Sequence, residues 1–340
     1  MNKSLNDLTE FPLLTDIANI RVNPTILANF LKAAGDDLRL EILRVLAQDS
    51  YGVLELSRLF KTTQSGMSHH LKVLSSAEFL STRREGNSIF YRRAYLAPDH
   101  PLVNLQLQLF AVVDSLRISE DLKQKIILLQ DERNRAAQAF FAENADKFRA
   151  QQDLIASYPV YADQVSSLLK NTPLKSKHLA IEVGPGEGEF LAVLSQVFTQ
   201  VIALDNSEQM LEKSKTFSQE KNLRRVEFIL GDTQTLVSQK ILADCIVVNM
   251  VLHHTASPAE IFVDLSRSLA PGGALLICDL CRHEQTWARE ACGDLWQGFE
   301  PQDFSRWAKA ASLEEGQSIY FALRNGFQIQ LRQFFKPGNF

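Results

Sequence analysis

Cysteine is scarce in this 340-residue chain: there are four, and none occurs before Cys245. Most of the chain therefore has no thiol to offer to a disulfide framework or a thiolate metal site. The late four (Cys245, Cys278, Cys281, Cys292) suit small buried side chains in a reducing compartment. Long apolar runs are also missing, and none approaches the roughly eighteen residues a membrane span needs. Met1–Glu10 is polar and lacks the apolar segment of a secretory leader. A cytoplasmic chain with no membrane partner is the expectation. The 45% of hydrophobic residues suffices for two globular domains and a connecting segment.

Net charge is only −4, but it is unevenly spread. Between Ser57 and Arg93 seven basic residues (Arg58, Lys61, Lys72, Arg83, Arg84, Arg92, Arg93) face two acidic ones (Glu78, Glu85). Such a local surplus is either a solvated surface or an electrostatic footprint for a polyanion. The pattern around the charges favours the second. Pro24 opens an amphipathic stretch, and Leu38 to Leu46 repeats apolar residues at helical spacing. Asp49 to Gly52 breaks that stretch, Val53 to Phe60 reads as a short helix, and Lys61-Thr-Thr63 as a turn with a cap. In the helix that follows, Gln64 to Leu74, Met67, Leu71 and Leu74 point inward, which leaves Gln64, Ser65, Ser68, His69 and Lys72 to face outward, as a recognition helix requires. Phe79 to Arg93 alternates about Gly86-Asn87 as a β-hairpin wing, with Arg83, Arg84 and Arg92 on its arms as further DNA contacts.

These segments, roughly residues 24 to 97, resemble the ArsR/SmtB winged helix-turn-helix family of bacterial repressors. The resemblance implies a homodimer that reads a palindromic double-stranded DNA operator. Metal-sensing relatives carry thiolates or His and carboxylate clusters beside the reading head, but the stretch here is Val53-Leu-Glu-Leu-Ser57. Asp99, His100 and Asp114 match no ligand spacing. The adjacent His69 and His70 diverge by about 100° on a helix and cannot share one ion. No metal is expected, and another part of the chain has to supply the signal.

Residues 101–150 carry Leu102, Leu105, Leu109, Val112, Val113 and Leu116 at helical spacing, followed by a charged, alanine-rich helical segment. This linker suits a dimer interface and a lever between domains equally well. From Lys177 the chain alternates strand and helix, the signature of a parallel α/β sheet: strands at His178 to Val183, Val201 to Leu204, Val226 to Leu230, Asp244 to Val251 and Gly273 to Asp279, with a late hairpin about Arg324-Asn-Gly326. The first turn reads Glu182-Val-Gly184-Pro-Gly186-Glu-Gly188, where glycines let backbone approach a ligand; Asp205, at the tip of the second strand, is placed to accept from a ribose diol.

Gly-x-Gly-x-Gly preceded by Glu182, together with Asp205, Asp232 and Leu269-Ala-Pro-Gly-Gly273, resembles class I S-adenosylmethionine-dependent methyltransferases over about residues 135 to 335. A dinucleotide-binding dehydrogenase would show Gly-x-Gly-x-x-Gly instead. The resemblance implies S-adenosyl-L-methionine or S-adenosyl-L-homocysteine as ligand. Glu182 would lie under its methionine end, Gly184, Gly186 and Gly188 along it, Asp205 at both ribose hydroxyls and Asp232 at the adenine, with Asn249 facing the same crevice and Asn206 a further ligand-binding candidate.

No catalytic motif stands out. His253-His254 reads as loop packing ahead of a general base, and Cys278-Asp-Leu-Cys281 as structural ahead of zinc. Trp287, Trp296, Phe299 and Trp307 either roof an acceptor pocket or complete the core. The expected architecture is therefore multidomain: an N-terminal winged helix-turn-helix (1–100), a helical linker (101–150) and a C-terminal Rossmann-like methyltransferase fold (151–340). The favoured function is a repressor that senses the adenosyl ligand and reports on the methyl cycle. The competing reading is a working methyltransferase with a winged-helix docking module; metal-responsive repression is disfavoured.

Overall fold

A computed structural model describes residues 23–47, 49–85 and 88–338. By contacts the chain divides between Lys123 and Gln124 into two compact units, with residues 84–88 grouped with the second.

In the first unit, helix α1 (Pro24–Ala34) starts with proline in its first turn, and the Asn23 side chain accepts from Thr25 N–H (2.9 Å). Asp36 caps α2 (Asp37–Val45) by accepting from Arg39 N–H (3.0 Å). Strand β1 (Tyr51–Gly52) leads directly into α3 (Val53–Leu59), and Thr63 caps α4 (Gln64–Ser76) by accepting from Gly66 N–H (3.2 Å). β2 (Leu80–Glu85) and β3 (Ser88–Arg93) form the wing arms; Gly86 and Asn87, read as its turn, lie outside the described residues. The sheet order is β1-β3-β2. β1 was not expected: Asp49 to Gly52 reads as a break, and its pairing, Tyr51 with Tyr91 and Gly52 with Phe90, comes from a distant partner. Helix α5 (Val103–Ser115) completes the unit.

Arg93 ties these elements together. Its guanidinium is buried, donates to Leu43 O of α2 (2.7 Å), pairs in fork fashion with both oxygens of Asp114 on α5 (2.7 and 3.2 Å) and lies 4.4 Å from the Phe110 ring centre.

Helix α6 (Glu120–Ala156), 37 residues long, contains the boundary between the units. The second unit continues with α7 (Tyr158–Asn171), β4 (Leu179–Val183), α8 (Leu191–Val197), β5 (Gln200–Asp205), α9 (Glu208–Glu220), β6 (Val226–Leu230) and α10 (Thr233–Ser238). After β7 (Ala243–Asn249) come a 3-10 turn (Leu252–His254), α11 (Pro258–Arg267), β8 (Leu269–Leu280), α12 (Trp287–Cys292), α13 (Pro301–Ala310), β9 (Glu314–Ala322) and β10 (Gln328–Phe335). The seven strands run in the order β6-β5-β4-β7-β8-β10-β9; β4 to β8 pair in parallel and the final hairpin is antiparallel. This is the Rossmann-like architecture with the late hairpin at one edge. β8 starts earlier than Gly273, because Leu269 already pairs with Ala243 and the Pro-Gly-Gly segment is taken up as a bulge before Ala274 pairs with Cys245. Both faces of the central strands are buried, which is why β7 reads as a continuous apolar run from Cys245 to Val248. No helix among the described residues is long and apolar enough to cross a membrane.

Arg93→Ala is expected to cost the first unit about 1.5–3 kcal/mol, the worth of hydrogen bonds to a charged group, since the half-exposed Asp114 regains water. All three tryptophans lie in the second unit. A urea titration of the variant should therefore show an early far-ultraviolet circular dichroism step that tryptophan fluorescence does not follow. Curves that superimpose on wild type would contradict the role given to Arg93.

Candidate functional site

On α4, Met67, Leu71 and Leu74 are buried, while Gln64, Ser65, Ser68, His69 and Lys72 are exposed, so the face expected for DNA is presented to solvent. His70 turns the other way, 3.7 Å from Asp36. On the wing the arginines separate. Arg84 is exposed, Arg92 is half-buried and donates to Ser81 Oγ (3.2 Å), and Arg83 is buried. Along β2, Thr82 and Arg84 are exposed on one face, and the period of two turns Arg83 between them to the other, buried side. Arg83 is thereby corrected from an outward DNA contact to an inward-facing residue. His100 (3.9 Å from Glu78) and Asp114 (on Arg93) are engaged elsewhere in the fold.

In the second unit the strand order reverses between β4 and β7, the switch point at which open α/β sheets hold ligands beyond the carboxyl ends of their strands. One polar side chain from each of these two strands meets there. Asn249 Nδ2 donates to Glu182 Oε1 (3.4 Å), and both residues are buried. Glu182 Oε2 and Asn249 Oδ1 make no hydrogen bond. Burial, against the Asn249 hydrogen bond and with the Glu189 charge, pushes the Glu182 carboxyl up to about 8.

The chain leaves β4 through Gly184, Gly186 and Gly188, all at positive φ (66°, 58° and 90°). A Cβ at Gly184 would lie 2.5 Å from Val251 Cγ2, and one at Gly188 would lie 3.0 Å from Ser214 Cα, whereas one at Gly186 would meet nothing within 4 Å. Two glycines are thus required by packing, and the middle one faces open space. Ser214 Oγ, from α9, donates to Gly186 O (2.8 Å) and fixes the loop.

Asp205, half-buried at the tip of β5, accepts from Ser207 N–H (2.8 Å). Burial, partly offset by the Ser207 and Asn206 backbone, raises it to about 6. Asn206 is exposed beside it. Gly231 N–H donates to Asp205 O (2.9 Å), which brings Asp232 to the same rim. Asp232 is exposed and already employed as the cap of α10, accepting from Thr235 N–H and Oγ (3.1 and 3.2 Å).

Two features escaped the sequence reading. Tyr158 and Tyr161 of α7 pack edge to face (5.8 Å); burial, with the Glu182 and Glu189 carboxylates among the neighbouring charges, pushes both phenols up. Arg149 of α6 binds Glu187 in the glycine loop and Glu189 just after it (3.0 Å), while Lys213 lies 3.8 Å from Glu187. Proline after Tyr158 and the paired glutamates flanking Gly188 were the available signals.

Beyond β7, His253 and His254 are buried, with ring centres 4.0 Å apart. His253 Nδ1 lies 2.7 Å from Asp279 Oδ1, and Asp279 Oδ2 accepts from Leu252 N–H (2.8 Å). Burial would lower His253, but Asp279 and Asp294 outweigh it and raise it; His254 is held well below its ordinary value by burial and then by His253. All four cysteines are buried and free.

Comparison with known proteins accords with this division. Residues 36–82 match the family model "Bacterial regulatory protein, arsR family", and residues 181–277 match "Methyltransferase domain". The arsenical resistance operon repressor of Staphylococcus aureus is 33% identical over 81 residues, which are 24% of this chain and 78% of that protein. The chain belongs to the arsR family of bacterial regulators. Its second unit carries a methyltransferase domain. That part is similar to an uncharacterized methyltransferase, YcgJ, of Bacillus subtilis (23% identical over 190 residues, 55% of this chain and 71% of that one). A further relative is an uncharacterized 37.1 kDa transposon protein of Streptomyces fradiae (30% identical over 128 residues, 37% of this chain); the match spans 36% of that protein's length.

Because Glu182 is held near 8 in the folded chain against about 4.5 for an ordinary side chain, the folded state retains a proton that the unfolded state releases between those values. Stability should fall as pH rises through that interval and stay low above 8. Glu182→Gln is expected to abolish this decline, so that its thermal midpoint exceeds wild type most above pH 8. A variant midpoint that tracks wild type at every pH would refute the buried-carboxyl assignment.

Proposed function

We propose that this arsR-family chain is a DNA-binding transcriptional repressor whose methyltransferase domain binds S-adenosylmethionine or S-adenosylhomocysteine as an effector, and that it acts on methyl-cycle genes as a homodimer in the cytoplasm. The observation that carries the sensor reading is Arg149: it holds both glutamates of the glycine loop from α6, the helix that continues out of the reading unit. A ligand that moves the loop would alter this clamp.

The pocket chemistry fits the ligand. An adenosyl ligand brings an ammonium that suits the unpaired Glu182 Oε2, a carboxylate and ribose hydroxyls; we assign Asp205 to the diol with Asn206 as a further contact, Asp232 to the base, and Gly184, Gly186 and Gly188 to close backbone approach. Asn249 orients Glu182 and offers its own free oxygen. Tyr158 and Tyr161 close the side towards α7. When bound, S-adenosylmethionine supplies an electrophilic methyl group; an acceptor would turn the same pocket into an enzyme. The inducer is then an adenosyl compound in place of the thiolate-bound metals for which this reading head has no cysteine.

Gln64, Ser65, Ser68 and His69 are assigned to base edges and nearby phosphates, and Lys72, Arg84 and Arg92 to phosphate. The Ser65→Ala, Ser68→Ala double variant should lose discrimination between operator and random DNA. Arg84→Ala should weaken both and flatten the salt dependence by about one phosphate contact. Gel shifts over a salt series separate the two; an unchanged operator preference in the double variant would move the reading surface elsewhere.

Asp205→Ala should weaken adenosyl-ligand binding by about 1.5–3 kcal/mol, roughly ten- to a hundredfold. Wild-type affinity should itself decline as pH falls through about 6, where Asp205 takes up its proton. Calorimetry reads both. Coupling is the decisive measurement. Ligand should change operator affinity, and operator change ligand affinity, by the same factor, with a typical coupling of about 1–3 kcal/mol and S-adenosylhomocysteine the stronger. Arg149→Ala should bind ligand yet lose the coupling. Operator binding indifferent to both ligands, together with methyl transfer to an acceptor, would establish the enzyme reading instead.

A further inference from the structure

Four ionisable side chains that the adenosyl pocket does not use converge at the carboxyl ends of β7 and β8. The 3-10 turn after β7 presents His253 and His254, β8 presents Asp279, and the segment after α12 presents Asp294. All four are buried, His253 and Asp279 completely. Two carboxylates beside two imidazoles, out of contact with water, form an arrangement that proteins retain when a cation or a proton network compensates it.

The distances decide between these. Asp294 Oδ1 lies 3.5 Å from His254 Nδ1 and 3.9 Å from His253 Nε2, and the three ligating atoms lie within 4.8 Å of one another. Tetrahedral ligands at about 2.0–2.1 Å from a zinc ion stand roughly 3.3 Å apart, so a small inward shift closes the set on one ion. At 3.9 Å His253 Nε2 is too far from Asp294 for a hydrogen bond, and it makes none elsewhere. His253 is already oriented as a metal ligand is: Nδ1 is engaged by Asp279, whose oxygens are held in turn by Leu252 and Leu280 N–H (2.8 and 2.7 Å), leaving Nε2 to point at Asp294.

The backbone fixes Asp294 opposite. Gly293 adopts a left-handed turn (φ 72°), at which a Cβ would strike the Phe140 ring, and Leu295 and Trp296 N–H both donate to His253 O (2.9 and 3.0 Å). Adjacent histidines diverge on an α-helix, but at the end of this tight turn their rings lie side by side.

We propose that His253 Nε2, His254 Nδ1 and an Asp294 carboxylate oxygen form a binding site for one divalent transition-metal ion of the zinc class, with Asp279 as the carboxylate behind His253. Imidazole and carboxylate donors suit Zn2+, a divalent charge matches the two carboxylates, and three protein ligands leave one position for water or an incoming heteroatom. None of these residues is among those assigned to the adenosyl ligand, so metal uptake can be measured without it.

The full chain, stripped with chelator and dialysed, should take up one Zn2+ per chain in competition with a chromophoric chelator, with neither DNA nor adenosyl ligand present. His254→Gln and Asp294→Asn should each lose that equivalent. Asp279→Asn should retain the stoichiometry and bind about 10–100-fold more weakly, as loss of a carboxylate behind a ligating histidine does. Far-ultraviolet dichroism and tryptophan fluorescence check that each variant folds. The Co2+ form of the wild type, which needs no variant, should show the visible bands of a tetrahedral nitrogen and oxygen site. Wild type that retains no metal, metal retained equally by His254→Gln and Asp294→Asn, or a thiolate charge-transfer band that brings in Cys292 would each overturn the assignment.

Discussion

A carboxyl group with no access to water and one oxygen unpaired is among the less favourable things a core can contain, and in the second unit it sits at the centre of the sheet. Glu182 occupies the penultimate position of β4, flanked in register by Ala203 of β5 and Val247 of β7. Leaving a buried acceptor unsatisfied costs about 1–3 kcal/mol, which the neighbouring strands sustain because they bury Ile181, Val183, Ile202 and Val248 around it. Much of the local architecture follows from keeping that group in place. Asn249 reaches across from β7, and the glycine loop must leave β4 at once in a conformation that other residues rarely adopt. Val251 packs so tightly under Gly184 that no side chain fits.

The same constraint bears on how the loop is held. Glu187 and Glu189, either side of Gly188, add negative charge close to a carboxyl that is already costly to ionise. Arg149 and Lys213 counter that charge from outside the loop. At these half-exposed positions the pairs contribute little stability. Their consequence is geometric: one guanidinium fork fixes the separation of the Glu187 and Glu189 carboxylates and ties both to α6.

Legibility from sequence followed periodicity. The recognition helix was readable because Met67, Leu71 and Leu74 recur at helical spacing behind a threonine cap, and the five parallel strands because each is a short apolar run bounded by turn residues. That Glu182, Asp205 and Asn249 stand at or next to the ends of their strands was readable because each closes an apolar strand pattern. What stayed hidden depends on partners far along the chain. Arg93 with Asp114, Arg149 with Glu187, and β1 with β3 involve separations no local pattern encodes. Arg83 was misplaced because a run of basic residues conceals the alternation that turns one of them inward. Asp232 shows a different limit: its spacing ahead of Thr235 makes it the cap of α10, which the sequence reading of this carboxylate did not include.

The histidine pair illustrates why composition understated the second unit. Read along the chain, His253-His254 is a loop doublet and Asp294 an unremarkable residue 40 positions later. In the fold, the carboxyl end of the sheet carries two separate buried polar clusters, Glu182 with Asn249 at the switch point and Asp279 with His253 one strand further on. The antiparallel hairpin then seals the edge beyond β8, pairing Ile329 to Phe335 along it. The Asp279 carboxylate is held by Leu252 and Leu280 N–H, so His253 meets a group whose orientation the backbone has already set.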